Sequence, residues 1–107
     1  MQATHRLLQA CRITLFTREN CGLCAKAKDV LFNVSKGRPF QFKEIDIVKS
    51  ASGSAWRDLY DFDVPVIHIS KSSAGDENPE FASRAIKLMH RFTTEEVEAK
   101  MDLVERV

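Results

Sequence analysis

Cys21 and Cys24, spaced two residues apart in "TRENCGLCAKAK", carry the most chemistry in this chain. Such a pair can cycle between dithiol and disulfide, supply two ligands to a metal, or simply pack. A cysteine at a helix start meets free backbone N–H groups that stabilise negative charge, and its thiol pKa falls to roughly 3.5–7.5 in such settings. Arg18 adds a positive charge three residues before Cys21, opposed in part by Glu19. Cys24 lies one helical turn further on, within reach of Cys21 for a short disulfide. In the redox reading Cys21 attacks a substrate disulfide and Cys24 resolves the mixed disulfide. A structural zinc site usually shows a second pair, whereas the other candidates here are Cys11, His5, His68 and His90. The strand-to-helix position favours redox chemistry, with metal or iron–sulfur ligation and plain packing as the other readings.

The elements that must hold this pair are written in the local pattern. "RITLFT" (12–17) sets Ile13 and Leu15 against Thr14 and Phe16, which predicts a buried strand. From Cys21 to Lys36 the apolar residues Cys24, Ala27, Leu31 and Val34 follow a helical line. Asn20 is the expected N-cap, and Gly37 followed by Pro39 the expected stop. "FQFKEIDI" (40–47) alternates as a second strand, and Trp56, Leu59 and Tyr60 mark a short helix capped by Ser52 or Ser54. "VPVIHIS" (64–70) is a third strand with Pro65 at its start or edge, followed by a polar loop over 71–80. "SRAIKLMHRF" (83–92) suits a helix or a strand, and the strand is preferred because a clean helix then follows. That helix opens with a Thr93–Glu96 capping box and continues through Val97, Met101 and Val104. The predicted order is β-α-β-α-β-β-α.

Length and composition set the bounds. A chain of 107 residues suggests one domain over 1–107, with its core at about 12–106. Hydrophobic residues make up 44% and charged residues 29%, an ordinary globular balance. Sixteen basic against fifteen acidic side chains leave a formal charge of +1, so nothing points to nucleic acid or anionic lipid. Apolar runs fall far short of the roughly 18 residues that suggest a membrane span. Three clustered cysteines and no apolar leader fit a reducing compartment, hence the cytoplasm. The N-terminal "MQATHRLLQACR", with two arginines and no acid, keeps a mitochondrial location as the weaker alternative. Of the remaining residues, Cys11 reads as a bystander, His68 as a satisfied structural histidine, and His90 as a partly exposed strand histidine. Trp56 reads as packing, Lys26 and Lys28 as a solvated helix face, and Asp63 as a turn residue.

With "ITLFTRENCGLC", the helix after it, "FKEIDI" and "DVPVIHI", the chain resembles the glutaredoxins of the thioredoxin superfamily over about residues 12 to 106. The pattern "LxTRxxCxLCxxA" and the stretch "KLMHRFTTEEVEAKM" are similar to the small eukaryotic glutaredoxin-like group. The resemblance implies a thioredoxin-like α/β fold: a four-stranded mixed sheet with helices on both faces. It implies a thiol–disulfide oxidoreductase with Cys21 as nucleophile and Cys24 as resolving cysteine. Pro65 would be a cis-proline facing the dithiol, Val64 would offer its backbone to the substrate, and Arg18 would help bind glutathione. No cofactor would be bound, glutathione would serve as reductant, and the partner of this monomer would be a disulfide-containing protein or a glutathione mixed disulfide. Gly22 and Leu23 stand where glutaredoxins usually carry proline and tyrosine, and "HRFTTEE" stands where they carry a Gly-Gly pair. An iron–sulfur or metal-binding module and a non-catalytic interaction domain are the alternatives.

Overall fold

The structure, a computed structural model, describes residues 10–51 and 54–106. Four strands form one mixed sheet: β1 (Cys11–Thr17), β2 (Gln41–Asp46), β3 (Val66–Lys71) and β4 (Ile86–Met89), in the order β2-β1-β3-β4. β1 pairs parallel with β2 and antiparallel with β3, and β3 pairs antiparallel with β4. The parallel pair needs a crossover, supplied by α1 (Gly22–Gly37). α2 (Ala55–Tyr60) joins β2 to β3, and α3 (Thr94–Glu105) closes the fold.

Both faces of the central strand β1 are buried, and its alternation sorts two cores. Ile13 and Leu15 face the layer of α1 and α3, meeting Ala27, Leu31 and Val34 of α1 and Val97, Met101 and Val104 of α3. Phe16 faces the other layer, with Ile47, Trp56, Tyr60, Val66 and Ala82. Trp56, only 1% exposed, packs at a tilt against Phe16 with ring centroids 4.5 Å apart, so it is core packing. β2 is an edge strand and largely exposed, which is why its charged residues are tolerated.

Several local expectations are corrected. Asn20 does not cap α1: it adopts φ 58°, a left-handed turn that asparagine tolerates, and Cys21 takes the cap position with extended backbone. Ser54 occupies the N-cap of α2 but makes no side-chain capping bond, because its backbone is already helical, and Ser52 lies outside the described residues. The strand expected over 83–92 shrinks to Ile86–Met89. Part of its span and the end of the expected loop form a 3-10 helix, Pro79–Arg84. Asn78 starts that helix by accepting the Glu80 amide at 2.9 Å, with Pro79 in the first position.

The loop between β3 and this turn is tied down from beneath. The Arg12 guanidinium donates to the carbonyls of Ala74 at 3.1 Å and Gly75 at 2.7 Å. His68 is 1% exposed and bridges the Tyr60 hydroxyl and the Glu77 carboxylate, each at 2.7 Å. It is thus a satisfied structural histidine on the face opposite Ile67 and Ile69. The Thr93–Glu96 capping box forms as read, with the Glu96 amide donating to Thr93 Oγ1 at 3.1 Å.

Candidate active site

Register gathers three loops at one end of the sheet. Phe16 pairs with Val66, and Val66 with Met89. The segment after β1 that holds Cys21, the Val64–Pro65 step before β3, and residues 90–92 after β4 therefore share that end. Local sequence puts each there: a strand end followed by the left-handed Asn20, a proline unable to donate to the ladder, and a turn at His90 with φ 65°.

Cys21 and Cys24 are joined as a disulfide with their Cα atoms 5.2 Å apart. Cys24 lies on the buried stripe of α1 and is 3% exposed, whereas Cys21 is half-buried at the mouth of the helix. The Cys24 amide donates to Cys21 Sγ at 3.1 Å, so the sulfur itself caps the helix. The first helical turn carries no acid, and its exposed N–H groups stabilise negative charge on the capping sulfur. Among the described residues no group of three or more His, Cys, Asp or Glu stands together to hold a metal ion.

The bond between Val64 and Pro65 is cis, and Pro65 is buried while Val64 is half-buried. Arg18 is half-exposed and committed to the end of α2: its guanidinium donates to the Asp61 carbonyl at 2.9 Å and carboxylate at 2.6 Å. Glu19 pairs with Lys49 rather than acting on the cysteines alone. Lys28 pairs with Glu44 at 3.0 Å on the side facing β2, and Lys26 is an exposed residue of the helix face. Asp63 is a turn residue whose amide donates to the Tyr60 carbonyl at 3.0 Å, and its carboxylate lies 3.2 Å from the His90 ring. His90 is not a strand residue, since β4 ends at Met89. Phe62, 93% exposed, protrudes two residues before Val64.

Cys11 takes no part in this end. It begins β1, is 1% exposed, and its sulfur lies 3.8 Å from the Met101 carbonyl. Burial, then the charge of Glu105, pushes its thiol up to about 11, despite Arg38 nearby. Sequence reading missed the partners Asp61 and Lys49, and gave no part to Arg91. Only the absence of the Gly-Gly pair after β4 pointed to residues 90–91; nothing local signals the ion pairs.

A mixed four-stranded sheet of this order, with a CxxC disulfide at the first helix and a cis-proline before the third strand, defines a thioredoxin-like fold. The chain belongs to the glutaredoxin-like family, since residues 12–102 match the family described as Glutaredoxin-like domain (DUF836). Among solved structures it is similar to protein XcR50 from X. campestris, at 23% identity, covering 85% of this chain and 96% of that one with a TM-score of 0.58. It is also similar to chloroplastic thioredoxin z, at 17% identity over 99% of this chain and 89% of that one, with a TM-score of 0.65. A third is thioredoxin O2 from Arabidopsis thaliana in its oxidized state, at 16% identity over 96% and 87% of the two chains, with a TM-score of 0.56. At these identities the likenesses speak for the fold. The Cys21–Cys24 pair at the helix start is compatible with redox function. No helix among the described residues is long and apolar enough to cross a membrane.

Proposed function

We propose that this protein is a thiol–disulfide oxidoreductase in which Cys21 attacks and Cys24 resolves. The observation that carries the reading is the sulfur of Cys21 standing as the N-cap of α1, receiving the Cys24 amide while Cys24 itself is buried. The more exposed member of the pair, half-buried Cys21, is the one whose thiolate the helix stabilises, so it meets the substrate first. In the reduced protein the Cys21 thiolate forms a bond to one sulfur of a substrate disulfide. The substrate S–S bond breaks, and its second sulfur leaves as a thiolate that takes a proton. Cys24 then loses its proton and attacks Cys21 Sγ, releasing the remaining substrate thiol and closing the Cys21–Cys24 disulfide. Two electrons pass to the substrate, and the two thiol protons of the pair balance those gained.

Regeneration needs a thiol donor. A low-molecular-weight thiol such as glutathione would reduce the pair in two exchanges, leaving as its own disulfide. In that step Val64 would offer its main chain beside the cis Pro65, and Arg18 would reach a glutathione carboxylate only by giving up its pairing with Asp61. The protein would act as a monomer in the cytoplasm, in thiol homeostasis and electron transfer, on disulfide-containing proteins or glutathione mixed disulfides, with no bound cofactor.

Three variants test this. Cys21→Ser should abolish disulfide reduction, and Cys24→Ser should accumulate a mixed disulfide with oxidised glutathione, visible by mass. The Cys21 thiol in Cys24→Ser should titrate below the ordinary value of about 8.5 by thiolate absorbance. Activity surviving Cys21→Ser would overturn the assignment of Cys21 as the attacking thiol, and an unshifted, inactive thiol would leave only a binding domain.

A further inference from the structure

Most charges around the dithiol are neutralised from within the protein. Asp61 holds Arg18, Lys49 holds Glu19 and Glu44 holds Lys28, while the Asp63 carboxylate lies 3.2 Å from the His90 ring. Lys26 and Arg91 are different: both are exposed, and neither has a carboxylate partner among the described residues. They come from separate elements, α1 and the turn after β4, yet border one cleft of about 210 Å³. That cleft opens beside Leu23, the residue just before Cys24. The rest of its lining is Ala27, Val30, Phe92 and the His90 ring, with Asp63 3.2 Å from that ring, and no carboxylate of the described residues lines the cleft itself.

We propose that this cleft docks an acidic segment of a disulfide-bearing protein substrate, one whose cysteine thereby comes to Cys21. The inference rests on the redox reading above and names its substrate class. Two cations with no carboxylate partner among the described residues, over a largely apolar floor, leave a net positive field, and a carboxylate seated there is screened less than one in open water. The same field repels basic segments, so the cleft discriminates by charge sign as well as by attraction. Exposed Phe62 on the cis-proline side leaves room for an apolar contact on the opposite flank of the substrate cysteine.

The test uses the full chain, reduced, and three disulfides: a peptide with glutamates flanking its cysteine, the same peptide with lysines, and oxidised glutathione. The glutamate peptide should be reduced faster than the lysine peptide, by about three- to tenfold for two exposed charge contacts, with the gap closing as salt rises. Lys26→Glu with Arg91→Glu should reverse that order. Lys26→Gln with Arg91→Gln should level it, and thermal melting checks that both proteins fold. Equal rates for the two peptides in the native protein would overturn the proposal. So would a response to these substitutions confined to oxidised glutathione, because the cations would then serve that small molecule.

A second measurement separates docking from chemistry. The glutamate peptide with serine in place of cysteine is titrated into the oxidised protein and followed by amide chemical shifts. Shifts centred on Leu23, Ala27, Arg91 and Phe92 that vanish in the double glutamate variant support docking, whether or not the thiols turn over. Absence of shifts overturns it. Turnover without charge preference removes the docking proposal and leaves the redox reading standing.

Discussion

The main-chain N–H of His90 donates to the carbonyl of Pro65 at 2.8 Å, joining the turn after β4 to the residue before β3. That bond extends the antiparallel β3–β4 ladder one step past the Val66–Met89 pair, and the chain then turns at His90, φ 65°. A residue with a Cβ in this region costs about 1–2 kcal/mol. The ring recovers part of that through Asp63, 3.2 Å away. Strain at His90 and the position of Pro65 are thus one local problem, placed at the end of the sheet that carries Cys21.

His90→Gly should keep or raise the melting temperature, because glycine adopts this backbone freely. His90→Val should lower stability by about 1–3 kcal/mol, because a β-branched residue is a poor fit to left-handed backbone and makes no bond to Asp63. Thermal or denaturant unfolding of both variants checks this. Equal stability of the two would mean that the turn relaxes without effort.

Glu77 should show in the acid limb of the stability curve. Burial raises its carboxyl pKa, but the hydrogen bond and charge of His68 and the charge of Arg12 outweigh burial, and the net direction is downward. A carboxyl whose folded pKa is depressed contributes stability that is fully present above its unfolded value of about 4.3 and is lost as pH falls through the folded value. Glu77→Gln should therefore cost about 1–3 kcal/mol at neutral pH, and the gap should narrow below about pH 4. Urea unfolding at several pH values reads it; two parallel curves would remove Glu77 from the acid response.

Cys11 should behave as a silent thiol. With its pKa pushed up to about 11, mainly by burial and then by Glu105, almost no thiolate exists at neutral pH. The oxidised native protein should react slowly with a thiol reagent and reveal one thiol on denaturation, since Cys21 and Cys24 are joined. Prompt labelling of the native oxidised protein at Cys11 would contradict its placement.

Thr93→Ala should remove half of the capping box that starts α3. The Glu96 amide loses its acceptor, 3.1 Å away in the native protein, while the residue 93 amide keeps the Glu96 carboxylate that it meets there at 3.0 Å. The expected loss is about 1 kcal/mol, and Thr93→Ser should restore most of it. Chemical denaturation of the pair of variants decides; no recovery with serine would assign the effect to packing of the threonine methyl.

What the sequence determined by itself was short-ranged. The stripe Cys24, Ala27, Leu31 and Val34, the alternation of β1, the Thr93–Glu96 cap and the placement of Cys21 and Cys24 at a strand-to-helix turn all follow from neighbours within a few residues. The order of elements and the sorting of Ile13 and Leu15 from Phe16 followed from the same periodicities. Only the fold decided the rest. Arg18 meets Asp61 across 43 positions and His90 meets Asp63 across 27, pairings that no local pattern encodes. The N-cap passed from Asn20 to Cys21 because the chain had to turn through a left-handed residue before entering α1. Where the strand over 83–92 was expected, burial of Ala82 against Trp56 and Tyr60 favoured a 3-10 turn, and β4 was left with the four residues that β3 could pair. Propensity acts between neighbours along the chain, whereas ion pairs and strand ends are set by which surfaces the completed sheet brings together.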